Sequence, residues 1–214
     1  LSISGSPLAG LSAKYYKIKE KESACYQDSF KQQALTLLAD TIDADINHPL
    51  MRRGAGWAGI PGEVFGGFYV EWSGYLRVDV AGDYEMMVES RDGVRVYVDG
   101  IRVLNRWECP RKMVSTTNTV SFGTVGYVSI QVNFFSSGSD FGVILSWKKP
   151  NTADFEVIPA SMLVHVPSAP FTYTASTMQY YRNMPVAENT PVFFGVSLAN
   201  PTYSINPELP AGLT

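Results

Sequence analysis

Hydrophobic and polar residues alternate with a period of two through the middle of the chain. Val94, Val96 and Val98 alternate with Arg95 and Tyr97, and Ile101 and Val103 alternate with Arg102 and Leu104. Alternation of this kind marks strands with one buried face, so the pattern predicts two strands that bury Val94, Val96, Val98, Ile101 and Val103. Asp99-Gly100 lies between the runs. Asp-Gly favours a two-residue type I′ hairpin turn, because both central residues need positive φ. A second Asp-Gly, Asp92-Gly93, precedes the first run, so Ser90 to Gly93 reads as the corner that feeds the hairpin. The same alternation recurs at Leu76, Val78 and Val80, then at Tyr84, Met86 and Val88. It returns at Val128, Ile130, Val132 and Phe134, and again at Val143, Leu145 and Trp147. Ala81-Gly82-Asp83, Gly123 to Gly126 and the oxygen-rich loop Ser136 to Asp140 separate the runs. Short strands with turn signals every ~8–12 residues predict an all-β fold, an antiparallel sandwich or barrel.

Three regions break this pattern. In 28–43, Phe30, Ala34, Leu37, Leu38 and Ile42 recur near helical spacing behind Asp28 or Ser29 as an N-cap, which predicts one short amphipathic helix. Asp40, Asp43 and Asp45 follow as its solvated end; they lack the spacing, the Gly and the terminal Glu of a calcium-binding helix-loop-helix. His48 to Gly62 is a Gly-rich loop around Trp57 without the Gly-Lys-Ser/Thr ending of a phosphate loop. Around Val166 the composition shifts: Arg182 is the last basic residue, and Pro167, Pro170, Pro185, Pro191, Pro201, Pro207 and Pro210 split short apolar runs. This predicts a linker at 166–170 and a lighter, incomplete β module at 171–214, while 1–9 reads as the tail strand of something upstream.

Composition narrows the functional classes. Of 214 residues 45% are hydrophobic and 17% charged, with a net charge of −3. There is no Lys/Arg cluster to neutralise phosphates, which argues against a nucleic-acid partner. No apolar run approaches the ~20 residues of a membrane-spanning helix. His48 and His165 are the only histidines, and neither has a second ligand at zinc spacing. No Gly-x-Ser-x-Gly nucleophile elbow occurs, and no enzyme is expected. Cys25 and Cys109 are the only cysteines. In a secreted protein they pair, closing a long loop worth roughly 4 kcal/mol in the chain-entropy account; in a cytosolic one they are two buried thiols.

Several pieces, in order, resemble one family. They are Gly10-Leu-x-Ala-x-Tyr-Tyr16, Phe68 to Leu76, Ala81-Gly-Asp-Tyr84, Ser90 to Gly100, Trp107, Val128 to Phe134, Leu145-Ser-Trp147 and Ile158-Pro159. Together, 10–165 is similar to the protective-antigen-type domain, a β-sandwich or barrel. The flanks resemble another: Thr202 to Thr214 looks like the middle of an immunoglobulin-like (PIG) repeat of surface proteins, and Leu1 to Pro7 like its end. The first resemblance implies a non-catalytic module of adhesins, toxins and cell-surface proteins. The second implies an extracellular array, with Leu1, Ser2, Ile3 and Ser4 as an assembly strand that completes the open sheet of a neighbouring copy or flanking repeat. The glycan-binding subset of the first family holds Ca²⁺ between two adjacent Asp residues. Here the pair falls on Arg91-Asp92, so one carboxylate is replaced by a guanidinium. The resemblance leaves Asp92 and Asp140 as calcium or glycan candidates, Arg91 as the disrupting substitution, and no cofactor as the expectation. A calcium-dependent lectin is the alternative reading.

Overall fold

The computed structural model of the chain describes residues 7–18, 35–52, 67–137, 140–166, 171–173 and 191–193. Its strands are β1 (Leu8–Ala9), β2 (Leu11–Ile18), β3 (Leu35–Asp43), β4 (Asn47–Met51), β5 (Phe68–Val78), β6 (Gly82–Ser90), β7 (Val94–Val98) and β8 (Ile101–Arg106). They continue with β9 (Val114–Phe122), β10 (Gly126–Ser136), β11 (Phe141–Lys148), β12 (Glu156–Val157), β13 (Leu163–His165), β14 (Phe171–Tyr173) and β15 (Pro191–Phe193). A short 3-10 turn, Ala160–Met162, leads into β13. The all-β antiparallel prediction holds.

Two sheets form the sandwich. The first runs β1-β13-β5-β10-β7-β8, with β2 pairing both β5 and β3. The second runs β12-β11-β6-β9, with β4 on β11. The alternating apolar sets meet between them: Trp72 and Leu76 on β5, Val94 and Val96 on β7, Val132 and Phe134 on β10, Tyr84 and Val88 on β6, and Val143 and Trp147 on β11 are all fully buried. Tyr84 packs against Trp147 and Phe122 at centroid distances of 5.2 and 5.1 Å, a spacing that adds to the burial energy of each ring. A smaller cluster on the outer face of the first sheet gathers Tyr69 and Phe135 with Trp107 and Cys109.

Three expectations are corrected. Residues 35–43 are strand β3, paired along β2 from Ile18↔Leu35 to Leu11↔Asp43, and not the end of a helix; 28–34 lie outside the described residues. The helical spacing does not define a buried face, since Leu37 and Ile42 are 52% and 46% exposed; cross-strand pairing overrides local periodicity. In β8 a bulge shifts the register, because Tyr97 pairs with Arg102 but Val96 with Leu104. One extra residue reverses the faces beyond it, so Leu104 and Arg106 are buried; Ile101, opposite Val98 before the bulge on the edge strand, is exposed. Leu8 and Ala9, grouped by sequence with an upstream tail strand, instead pair with His165 and Val164 in the large sheet.

The chain divides into two compact units. Leu8–His165 with Leu1 is one; Ser2–Pro7 together with Val166–Thr214 is the other. The larger unit is therefore inserted in sequence between two parts of the smaller, and its own ends are neighbours, joined by the Leu8↔His165 pairing. Within the smaller unit, β14 and β15 pair antiparallel, Phe171 opposite Phe193.

Candidate functional site: the β6–β7 corner

β6 lies in one sheet and β7 in the other, so residues 91–93 carry the chain across the end of the sandwich. The crossing is fixed by backbone bonds on both sides: Arg91 N–H donates to the Gly142 carbonyl at 3.0 Å, and Phe135 N–H donates to the Gly93 carbonyl at 2.9 Å. Gly93 is required for space. A Cβ there would stand 2.0 Å from Phe135 Cε1, and Phe135 is completely buried.

Polar side chains then fill the corner from within. Ser90 is fully buried and Asp92 is 1% exposed. Ser90 Oγ donates to the Asp92 carbonyl at 2.7 Å. Asp92 Oδ2 accepts the Ser137 N–H at 2.8 Å, and the Ser137 hydroxyl lies 3.3 and 3.2 Å from the two carboxylate oxygens. Burial pushes the Asp92 carboxyl above its ordinary range, while Ser137, Arg91 and Ser136 act in the opposite direction. Arg91 Nη1 donates to Asp140 Oδ2 at 3.0 Å in a partly buried ion pair, while its Nε is buried.

One residue of the corner was not a sequence candidate. Arg106, at the end of β8, is 8% exposed. Its Nη2 donates to the Ser90 carbonyl at 2.7 Å and also to the Ser90 hydroxyl. Burial lowers its pKa, while Glu108 and Asp92 support its charge. An arginine on the inward side of a strand was the available signal, but the bulge in β8 hid which side is inward.

The carboxylates of this corner each have a partner within the chain. Asp92 accepts from Ser137 and Asp140 from Arg91; Ca²⁺ takes six to eight oxygens. No cluster of three acidic, His or Cys residues that could hold a metal occurs among the described residues. The structure thus brings Asp92 and Asp140 to one corner, on either side of Arg91, but gives each its own partner. Cys109 is disulfide-bonded, and Cys25, the only other cysteine, lies outside the described residues. The assembly-strand residues Leu1 to Ser4, and Trp57, lie outside them too.

A second polar cluster sits at the β3–β4 end. Asp43, expected to be solvated, accepts the Trp72 Nε1–H at 2.7 Å on Oδ2 and the Tyr15 hydroxyl on the same oxygen. His48 stacks on Trp72 at 5.9 Å and is held below its ordinary pKa by burial. The cluster ties β2, β3, β4 and β5 together.

The larger unit is thus a two-sheet antiparallel β-sandwich with a buried polar corner at one end. The family model described as the PA14 domain matches residues 23–161, so the chain belongs to the PA14 domain family. No curated protein matches. Among solved structures, the PA14 domain of the MpAFP antifreeze protein is similar at TM-score 0.61 and 17% identity, over 80% of this chain and 98% of that one. The PA14 sugar-binding domain from an RTX adhesin matches at TM-score 0.57 and 17% identity, over 74% and 99%. An anti-sigma factor domain-containing protein matches at TM-score 0.59 and 20% identity, over 77% of this chain but only 50% of its own length. The chain thus spans about half of that protein, and at such identities the likeness shows the fold.

Proposed function

We propose that this chain is a non-catalytic extracellular module that works by contact, as an adhesive or structural element of a surface protein. The observation that carries the reading is the β6–β7 corner, where every acidic side chain is already satisfied by a neighbour in the chain. The sugar-binding description of the RTX adhesin domain supports a contact function for this fold. The disulfide at Cys109 supports an oxidising compartment. A glycan array probed in calcium and again in EDTA tests it. The scaffold reading expects no calcium-dependent sugar signal; such a signal, lost in Asp92→Ala, overturns it in favour of a calcium-dependent lectin.

The partners in this reading are neighbouring copies or flanking immunoglobulin-like repeats. The grouping of Ser2–Pro7 with Val166–Thr214 supports a β module built from both flanks. When the strand comes from the same copy the chain is closed; when Leu1 to Ser4 come from the next copy a filament results. Light scattering across a concentration series separates the two. Growth of mass with concentration supports the filament, and a constant monomer mass supports the closed chain.

A further inference from the structure

We infer that His48 is a proton-operated latch, which holds β4 across the sandwich on Trp72 while neutral and releases β4 from β11 when protonated. The latch belongs to the scaffold and is independent of what the module binds.

β4 is a weakly held edge strand. Among the described residues it pairs only with β11, and a bulge between Phe141 and Val143 breaks the register. Pro49, at its centre, has no N–H to give to a ladder. Asn47, Pro49 and Leu50 are exposed, so the anchors are the residues that turn inward. Ile46, just before the strand, is buried, and its carbonyl accepts the Leu145 N–H at 2.9 Å. Met51, at the far end, packs on the main core. Between them His48 stacks on the fully buried Trp72 of the opposite sheet, the rings 5.9 Å apart and 22° from parallel. The middle of β4 thus rests on the other sheet through an imidazole, a ring that changes charge in mildly acidic solution.

The surroundings favour the neutral ring. Trp72 Nε1–H and the Tyr15 hydroxyl both donate to Asp43 Oδ2, so that oxygen is already engaged. β5 and β11 present the uncharged Trp72 and Val143 to His48. The charges that reach it are Asp43, from the end of β3, and Asp45, from the turn before β4; both favour the imidazolium, but burial outweighs them and holds the pKa below its ordinary 6.5. The closed strand therefore binds this proton less tightly than the open one. The latch contributes stability above about 6.5, and that stability is lost as pH falls toward the folded value.

Hydrogen exchange of the whole chain, corrected for the intrinsic pH dependence of exchange, tests this. From about pH 7.5 to about pH 5, the open form of β4 is expected to rise by up to about 30-fold, because the open form binds one proton at an ordinary histidine. Exchange should quicken in 46–51 and at the Leu145 amide, whose acceptor leaves, while β5 and β10 stay protected. His48→Phe keeps a ring on Trp72 with no proton to gain, and is expected to remove the response. If that variant does not fold, His48→Gln replaces it. His165→Gln, which removes the other histidine, and Asp92→Asn are expected to keep the response. Equal exchange of 46–51 at the two pH values overturns the inference, as does greater protection in acid. So does a response that survives the His48 variant, one that is lost in His165→Gln or Asp92→Asn, or the opening of all strands together. A glycan array reads the proposed function and bears on none of these outcomes.

Discussion

The chain uses Asp-Gly twice within ten residues, and the two copies do opposite jobs. Asp99-Gly100 is the exposed tip of the β7–β8 hairpin. Both residues have positive φ, 48° and 76°, and a Cβ on Gly100 would meet nothing within 4 Å. Asp99 Oδ1 accepts the Ser129 N–H at 3.0 Å, tying the tip to β10. Asp92-Gly93 is an interior corner, where the glycine is needed because Phe135 occupies the space. The aspartate there is buried, with its carboxylate pointing to Ser137. Glycine serves conformation at one site and packing at the other, and the dipeptide itself does not say which.

The largest expected effect comes from breaking this contrast at the glycines. Gly93→Ala should lose about 3 kcal/mol by overpacking against Phe135, whereas Gly100→Ala should lose only about 1 kcal/mol through its left-handed backbone. Urea denaturation measures both. Combining Gly93→Ala with Phe135→Leu should cost less than the sum of the two, while Gly100→Ala with Phe135→Leu should be additive. Equal losses at the two glycines would break the comparison.

Next come the arginines. Arg106→Met should cost about 2 kcal/mol, since it removes charge-assisted bonds to buried Ser90. Arg91→Met should cost about 1 kcal/mol or less, because Asp140 at the other end of the pair is exposed to solvent and screened, and the change also removes a buried Nε without a hydrogen-bond partner. Chemical denaturation again separates them. At the tip, Asp99→Ala should cost about 1 kcal/mol for the acceptor lost to Ser129, and amide exchange at Ser129 should quicken.

The smallest effect is a pH dependence at Asp92. Its folded-state pKa is raised above the ordinary 3.8 by burial, so the native state holds this proton more tightly than the unfolded chain does. The contribution is fully present below about 3.8 and is lost as pH rises through the folded value. Wild type should therefore lose ground to Asp92→Asn as pH rises through that range, which melts at a series of pH values would reveal.

Much of this was readable from local pattern. The hairpin was legible because alternation and a type I′ turn are both local properties of Val94 to Val103. The face of β8 was not, because one bulged residue at Val103 reverses everything after it, including Arg106. β3 was misread because its leucines fall at helical spacing while its partner, β2, is distant in sequence. Asp92, Asp140 and Arg91 were legible as residues of one corner. Their partners were not assigned, since Ser137 and Asp140 arrive from a loop 45 and 49 residues away. The contacts that fill the corner depended on three strands meeting.

The most direct test of a corner held by its own side chains is calorimetric titration of calcium into the metal-stripped chain. The account predicts only heat of dilution. A saturable site whose heat disappears in Asp92→Ala would contradict it.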